Sequence, residues 1–137
     1  MKTKLTSLLA LMLVAVLLLA SCGGEEVPSL WDSATYTSDT AVGSGATSVT
    51  VSIEAEDKVV TLTVNTDKQT LGEALFELDL INDASFFDTA NGMKADWDKD
   101  NAYWAFYIGE EYQMIGVGDA TLTSGAAYRL VYTVSNY

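Results

Sequence analysis

Val49-Thr50-Val51-Ser52-Ile53-Glu54 alternates apolar and polar side chains, residue by residue. Successive side chains of a strand point to opposite faces, so this run is a half-buried strand with Val49, Val51 and Ile53 inward. Glu56-Asp57-Lys58 then reads as a turn, and Val59-Val60-Thr61-Leu62-Thr63-Val64 is a second β-branched run, which makes 49–64 a hairpin. Working outward, Thr70-Leu71-Gly72-Glu73 has the form of a capping box, with Thr70 and Glu73 each satisfying a backbone amide of the other. Leu71, Ala74, Leu75 and Leu78 fall at i, i+3, i+4 and i+7, the apolar face of a short helix ending near Asp79–Asn82.

Residues 83–102 are turn formers and an acidic cluster, with Phe86 and Phe87 placed to pin the loop to the core. Tyr103-Trp104-Ala105-Phe106-Tyr107-Ile108 is an aromatic strand, Gly109-Glu110-Glu111 a turn, Tyr112 to Val117 a return strand, and Tyr128 to Val134 a final strand. Helix and strands are segregated rather than alternating. The pattern therefore predicts an α+β, β-grasp-like domain over 48–137, one helix packed on a mixed sheet of four to five strands.

Upstream, Lys2 and Lys4 precede the unbroken apolar run Leu8–Ala20, which is the form of a secretory signal and short for a membrane span. Leu19-Ala20-Ser21-Cys22 resembles the bacterial lipobox. That resemblance implies a signal peptide over 1–21, cleavage before Cys22, and acylation of Cys22 as the new N-terminus. Two or three acyl chains suffice for stable anchoring. The expectation is an extracytoplasmic lipoprotein held on the membrane through Cys22. Residues 23–47 hold the only proline and are rich in Gly, Ser, Thr and Asp, so 22–47 is expected to be the lipidated cysteine and a flexible tether. Leu30-Trp31 and Tyr36 interrupt that run, either as sticky linker residues or as a segment that docks on the domain.

Composition excludes several functions. The 137 residues hold 19 acidic and 7 basic groups, a formal charge of −12, and removing 1–21 takes two lysines and leaves −14. Nucleic acids and anionic lipid headgroups are repelled by such a chain. There is no histidine, which removes imidazole catalysis and His–metal ligation, and the single cysteine removes an internal disulfide.

Taken together, Thr63-Val64, Thr70-Leu71-Gly72-Glu73-Ala74-Leu75, Tyr103-Trp104-Ala105-Phe106-Tyr107-Ile108, Met114-Ile115-Gly116-Val117 and Tyr128-Arg129-Leu130 resemble the DUF4430 family of transcobalamin-like C-terminal domains. The resemblance covers nearly all of 48–137 and implies a β-grasp-like fold. In transcobalamin and intrinsic factor the related domain closes over cobalamin against a helical barrel, so cobalamin or another corrinoid is the implied ligand. Gly109-Glu110 stands where the family often has Asn-Gly, and Ser124-Gly125-Ala126 where it often has Asp-Gly-Asp or Asp-Gly-Glu. Without a barrel the domain would bind alone, and without histidine a corrinoid would keep its own base or water on cobalt.

Alternation along 103–108 assigns Trp104, Phe106 and Ile108 to the core against Leu71, Leu75 and Leu78. Tyr103 and Tyr107 are left on an outer face, joined by Tyr112, Tyr128 or Tyr132. Such a face either stacks a flat ligand, sugar or peptide, or simply stabilises the sheet by cross-strand pairing, the reading preferred here. Arg129, the only arginine, either anchors an anionic group or pairs with a neighbouring carboxylate. Asp96, Asp98 and Asp100 begin like a calcium loop, but Asn101 replaces the glycine and Tyr107 the bidentate glutamate, so a solvated acidic loop is expected. Glu110 and Glu111 are adjacent carboxylates on a turn, and no catalytic arrangement is expected. The functional expectation is a small-molecule-binding lipoprotein with no cofactor of its own; the alternative is a cell-surface module that binds a protein or wall polymer.

Overall fold

A computed structural model describes residues 27–137. The expected signal peptide over 1–21, the acylated Cys22 and the start of the tether lie outside the described residues. Among the described residues, no helix is long and apolar enough to cross a membrane.

Eight strands are present among the described residues: β1 (Thr40–Gly43), β2 (Thr47–Ala55), β3 (Lys58–Thr66), β4 (Thr89–Ala90), β5 (Met93–Lys94), β6 (Ala102–Ile108), β7 (Glu111–Tyr112) and β8 (Ala127–Val134). Six of them form one mixed sheet in the order β1-β3-β2-β8-β6-β7, and β4 and β5 form a separate ribbon. β1 lies parallel to β3 and β2 parallel to β8, while the remaining neighbours are antiparallel. The helices are α1 (Leu71–Glu77), of 7 residues, and α2 (Trp97–Asp100), of 4. The expected β-grasp-like helix on four to five strands is therefore corrected. The described residues are mostly sheet, six strands plus a two-stranded ribbon, with a single helix longer than one turn.

The hairpin forms where alternation placed it. Val49, Val51 and Ile53 face Val64, Leu62 and Val60 in register, and all six are buried. The same face continues through Tyr128 and Leu130 of β8 into Phe106 and Trp104 of β6. It is covered by Leu71, Ala74 and Leu75 of α1 together with Leu80, Met93 and Val117. Thr70 Oγ1 accepts from the Glu73 N–H at 3.3 Å, while the Glu73 side chain stays exposed, so half of the expected capping box forms. Asp79, in the left-handed region at φ 55, ends the helix run.

The described part of the expected tether is docked rather than free. Leu30–Ser33 is a 3₁₀ turn closed by a complete capping box between Ser29 and Asp32. Trp31 is buried, its indole N–H donates to the Ala55 carbonyl at 3.0 Å, and the Lys58 ammonium lies 4.7 Å above its ring. The Glu56 carboxylate accepts from Ser29 Oγ at 2.7 Å and from the Leu30 N–H at 3.1 Å. Farther on, buried Asn91 accepts from the Tyr36 N–H at 2.9 Å and donates to the Tyr36 carbonyl at 2.8 Å. These partners lie 24 to 55 residues apart in the chain, a separation that composition cannot report. Trp31→Ala is expected to release this segment. Truncating a buried tryptophan costs roughly 3–5 kcal/mol, and the loss falls on local contacts. Hydrogen exchange should then show amides of 29–36 losing protection while those of β2 and β3 keep theirs.

Candidate functional site

Two loops meet at the β6–β7 side of the sheet. The first, 82–89, is held by its own side chains. Asp83 Oδ1 accepts from the N–H groups of Ser85 and Phe86 at 2.7 and 3.0 Å, and Asn82 Oδ1 accepts from those of Asp88 and Thr89, each at 3.1 Å. These backbone N–H bonds from Ser85 and then Phe86 hold the Asp83 carboxyl below its ordinary value. The second loop, 113–116, leaves β7 with Gln113 N–H donating to the Phe106 carbonyl at 2.8 Å.

Glycines let the loops and helix approach. A Cβ on Gly72 would lie 2.2 Å from the Ala84 carbonyl oxygen and 2.9 Å from Gly118 Cα, and one on Gly116 would lie 3.2 Å from the Ser85 carbonyl oxygen. Between the loops lies an open cleft of about 210 Å³, lined in part by Phe86, Trp104, Phe106, Tyr112, Met114 and Ile115. Phe86 and Met114 are 91% and 95% exposed, and Ile115 and Tyr112 about half exposed. Large apolar side chains left almost fully in water on two abutting loops point to a contact surface.

The structure divides the sequence-derived candidates between the two faces of the sheet. Tyr103 and Tyr107 lie on the outer face, and Tyr112 pairs with Tyr107 across the strands, ring centroids 5.6 Å apart at 72°. Partial burial pushes the Tyr103 phenol above its ordinary value, with Tyr112, Tyr107 and Tyr137 adding to it. Tyr128 and Tyr132 belong instead to the core face: Tyr128 stacks on Phe106 at 6.1 Å and Tyr132 meets Trp104 edge-on at 5.6 Å. Ile108, expected in the core, is 37% exposed because β6 ends there and turns at Gly109.

Arg129 is occupied by the protein itself. Its Nε and Nη2 donate to the two Glu54 carboxylate oxygens at 2.7 and 3.0 Å, Nη1 reaches Glu110 at 3.4 Å, and the guanidinium lies 4.9 Å from the Tyr107 ring centre. The hydrogen bond to Glu54 raises its already high pKa despite desolvation. This fork fits planar Arg–carboxylate pairing and leaves little for an outside anion. In the acidic loop, Asp96 caps α2 by accepting from the Lys99 N–H at 3.0 Å, and Asn101 closes it at φ 50. Asp98 and Asp100 point to no shared centre: among the described residues no three His, Cys, Asp or Glu side chains gather as a metal site.

Sequence reasoning placed Phe86 against the core and Met114 and Ile115 in a strand. For Phe86 the readable sign of exposure was Asn82-Asp83-Ala84-Ser85, a run rich in residues that bond their own backbone, just before an apolar pair; Met114 and Ile115 carried no such sign.

No family model matches the chain, and no curated protein matches it. Solved structures do. A protein from Ruminococcus gnavus ATCC 29149, provisionally described as metal binding, superposes with a TM-score of 0.61 at 22% identity, over 66% of this chain and 99% of its own. Haptocorrin in complex with cobinamide superposes with a TM-score of 0.50 at 16% identity over 64% of this chain, which spans 25% of haptocorrin. At these identities the likeness is one of fold alone.

Proposed function

We propose that this chain binds a small molecule, with a corrinoid as its ligand, and performs no catalysis. The observation that carries the reading is the pair Phe86 and Met114, held in water on built loops at the rim of the apolar cleft. Support comes from haptocorrin, which shares the fold and is seen with cobinamide, and from the resemblance of 48–137 to DUF4430 domains. The cleft, about 210 Å³, falls below the roughly 300–1,000 Å³ of pockets that enclose a ligand. It therefore grips an edge or face of a larger molecule and leaves the rest open. Metal binding, the description attached to the other neighbour, has no cluster of ligands among the described residues to support it. We place the protein outside the cytoplasm, anchored by acyl chains on Cys22, on the strength of the lipobox-like Leu19-Ala20-Ser21-Cys22.

Calorimetric titration of the full chain in detergent with cobinamide and cyanocobalamin tests the reading. Binding in the micromolar range or tighter is expected for at least one of them. An absence of heat with both would discard the corrinoid and favour the alternative of a surface interaction module built on the outer tyrosine face.

A further inference from the structure

We infer that a second cleft, at the opposite end of β6, is a binding site for a neutral carbohydrate. It is an open cleft of about 310 Å³ where α2 meets the start of β6, lined by Phe87, Asp88, Lys94, Trp97, Asp98 and Tyr103 among others. The site shares Phe87 with the cleft at Phe86 and Met114 but none of its other lining residues, and it does not depend on the corrinoid reading.

The aromatic rings are the first reason. Trp97 is 56% exposed, and its ring stands 6.2 Å from that of Tyr103 at 64°, forming an open corner. The backbone beneath the corner is fixed. Trp97 sits in the first turn of α2, which is fixed at one end by the Asp96 cap and at the other by Asn101 N–H donating to the Trp97 carbonyl at 3.0 Å. The faces of such rings carry partial negative charge and attract the polarised C–H bonds on one side of a pyranose.

The polar groups are the second reason, because they are mixed. Asp88 and Asp98 supply acceptors, while the Lys94 ammonium and the Trp97 indole N–H supply donors. Asp88 is held in place through Oδ1, which accepts from Asn82 Nδ2 and Thr89 Oγ1, both at 2.8 Å. Neither Asp98 nor Lys94 has a side-chain hydrogen bond or ion pair among the described residues.

Sugar hydroxyls both donate and accept, so a carbohydrate matches both kinds of group. Other ligand classes fit less well. An anion would meet the carboxylates and the chain's formal charge of −12. A simple organic cation would suit the rings and carboxylates but would face Lys94 with no acceptor to offer. An apolar ligand would desolvate the carboxylates without compensation.

The tryptophans provide a direct test. Trp31 and Trp104 are buried, with indole N–H groups donating to the Ala55 and Met93 carbonyls at 3.0 and 3.3 Å, whereas the Trp97 ring faces the cleft. Nuclear magnetic resonance of the full chain in detergent resolves the indole signals separately. Titration with maltotriose, cellotriose and tri-N-acetylchitotriose should move the Trp97 indole signal, with millimolar affinity for at least one sugar, and leave those of Trp31 and Trp104 in place. Read from the backbone amide signals of 94–103, binding of that sugar should weaken by about tenfold or more in Trp97→Ala, and more mildly in Asp98→Asn, with the thermal midpoint of each variant unchanged since both residues are exposed. Silence of the Trp97 signal with all three sugars would overturn the proposal. So would a response to tetramethylammonium without one to sugar, or sugar binding of undiminished strength in Trp97→Ala.

Discussion

Replacing Gly72 by alanine is expected to destabilise the protein by about 2 kcal/mol or more, although alanine is the better helix former by about 1 kcal/mol. The reason lies in space rather than dihedral freedom. The new methyl would sit 2.2 Å from the Ala84 carbonyl oxygen and 2.9 Å from Gly118 Cα, and both neighbours are backbone. A flexible side chain can swing away, but here α1 or the loop must move as a body, and every hydrogen bond that positions 82–89 resists it. For a domain of about a hundred residues the thermal midpoint should fall by roughly 8 °C or more. Gly109→Ala is the matched control. It has open space around the added methyl but a φ of +59, so it should cost only about 1 kcal/mol. Equal thermal shifts in the two variants would refute the close-approach argument.

Removing both Phe86 and Met114 as alanines is expected to weaken cobinamide binding by about a hundredfold while leaving stability within about 0.5 kcal/mol of the parent. The two expectations come from one fact: side chains 91% and 95% exposed contribute little to folding and are fully available to a ligand. Covering an exposed phenylalanine with an apolar partner is worth roughly 1.5–3 kcal/mol, so two such contacts readily account for the change. Tyr103→Ala, toward the far end of β6, should leave cobinamide affinity where it was. Affinity unchanged in the double variant would move the ligand off this cleft, and affinity lost in Tyr103→Ala would move it to the outer face.

The long strands were legible and the short ones were not. Nine residues of β2 and of β3 carry several periods of alternation each, enough to specify which side chains face inward. The same parity placed Trp104 and Phe106 inside and Tyr103 and Tyr107 outside. Had Leu130 been taken as the inward residue of β8, its neighbours two positions away, Tyr128 and Tyr132, would have followed it into the core. By contrast β1 has four residues and one buried side chain, and β4, β5 and β7 have two residues each, too few for a period to exist. β1 is set by pairing with β3, about twenty residues away in sequence, and it is the strand that takes the sheet from the five runs that were read to six, while the return strand read over Tyr112 to Val117 shrinks to Glu111–Tyr112.

The candidate site was hidden for a different reason. Apolar residues are read as interior by default, and the exposure of Phe86 depends on how Asp83 and Asn82 tie its loop to its own amides, while Met114 sits on the separate loop that leaves β7. Arg129 was readable in chemistry but not in partner, since Glu54 lies 75 residues away.

The docking of Trp31 determines how the protein would explore its surroundings. Seven positions separate Cys22 from Ser29, a span of at most about 25 Å even when fully drawn out. An acyl anchor at Cys22 would thus keep the β2–β3 turn near the bilayer. The capture radius would then be set by this short contour and not by the whole run to residue 47. Anything on the same membrane would be met at high effective concentration, and anything beyond the leash would have to diffuse inward. Undocking Trp31 would lengthen the leash and dilute the nearby encounters in favour of distant ones.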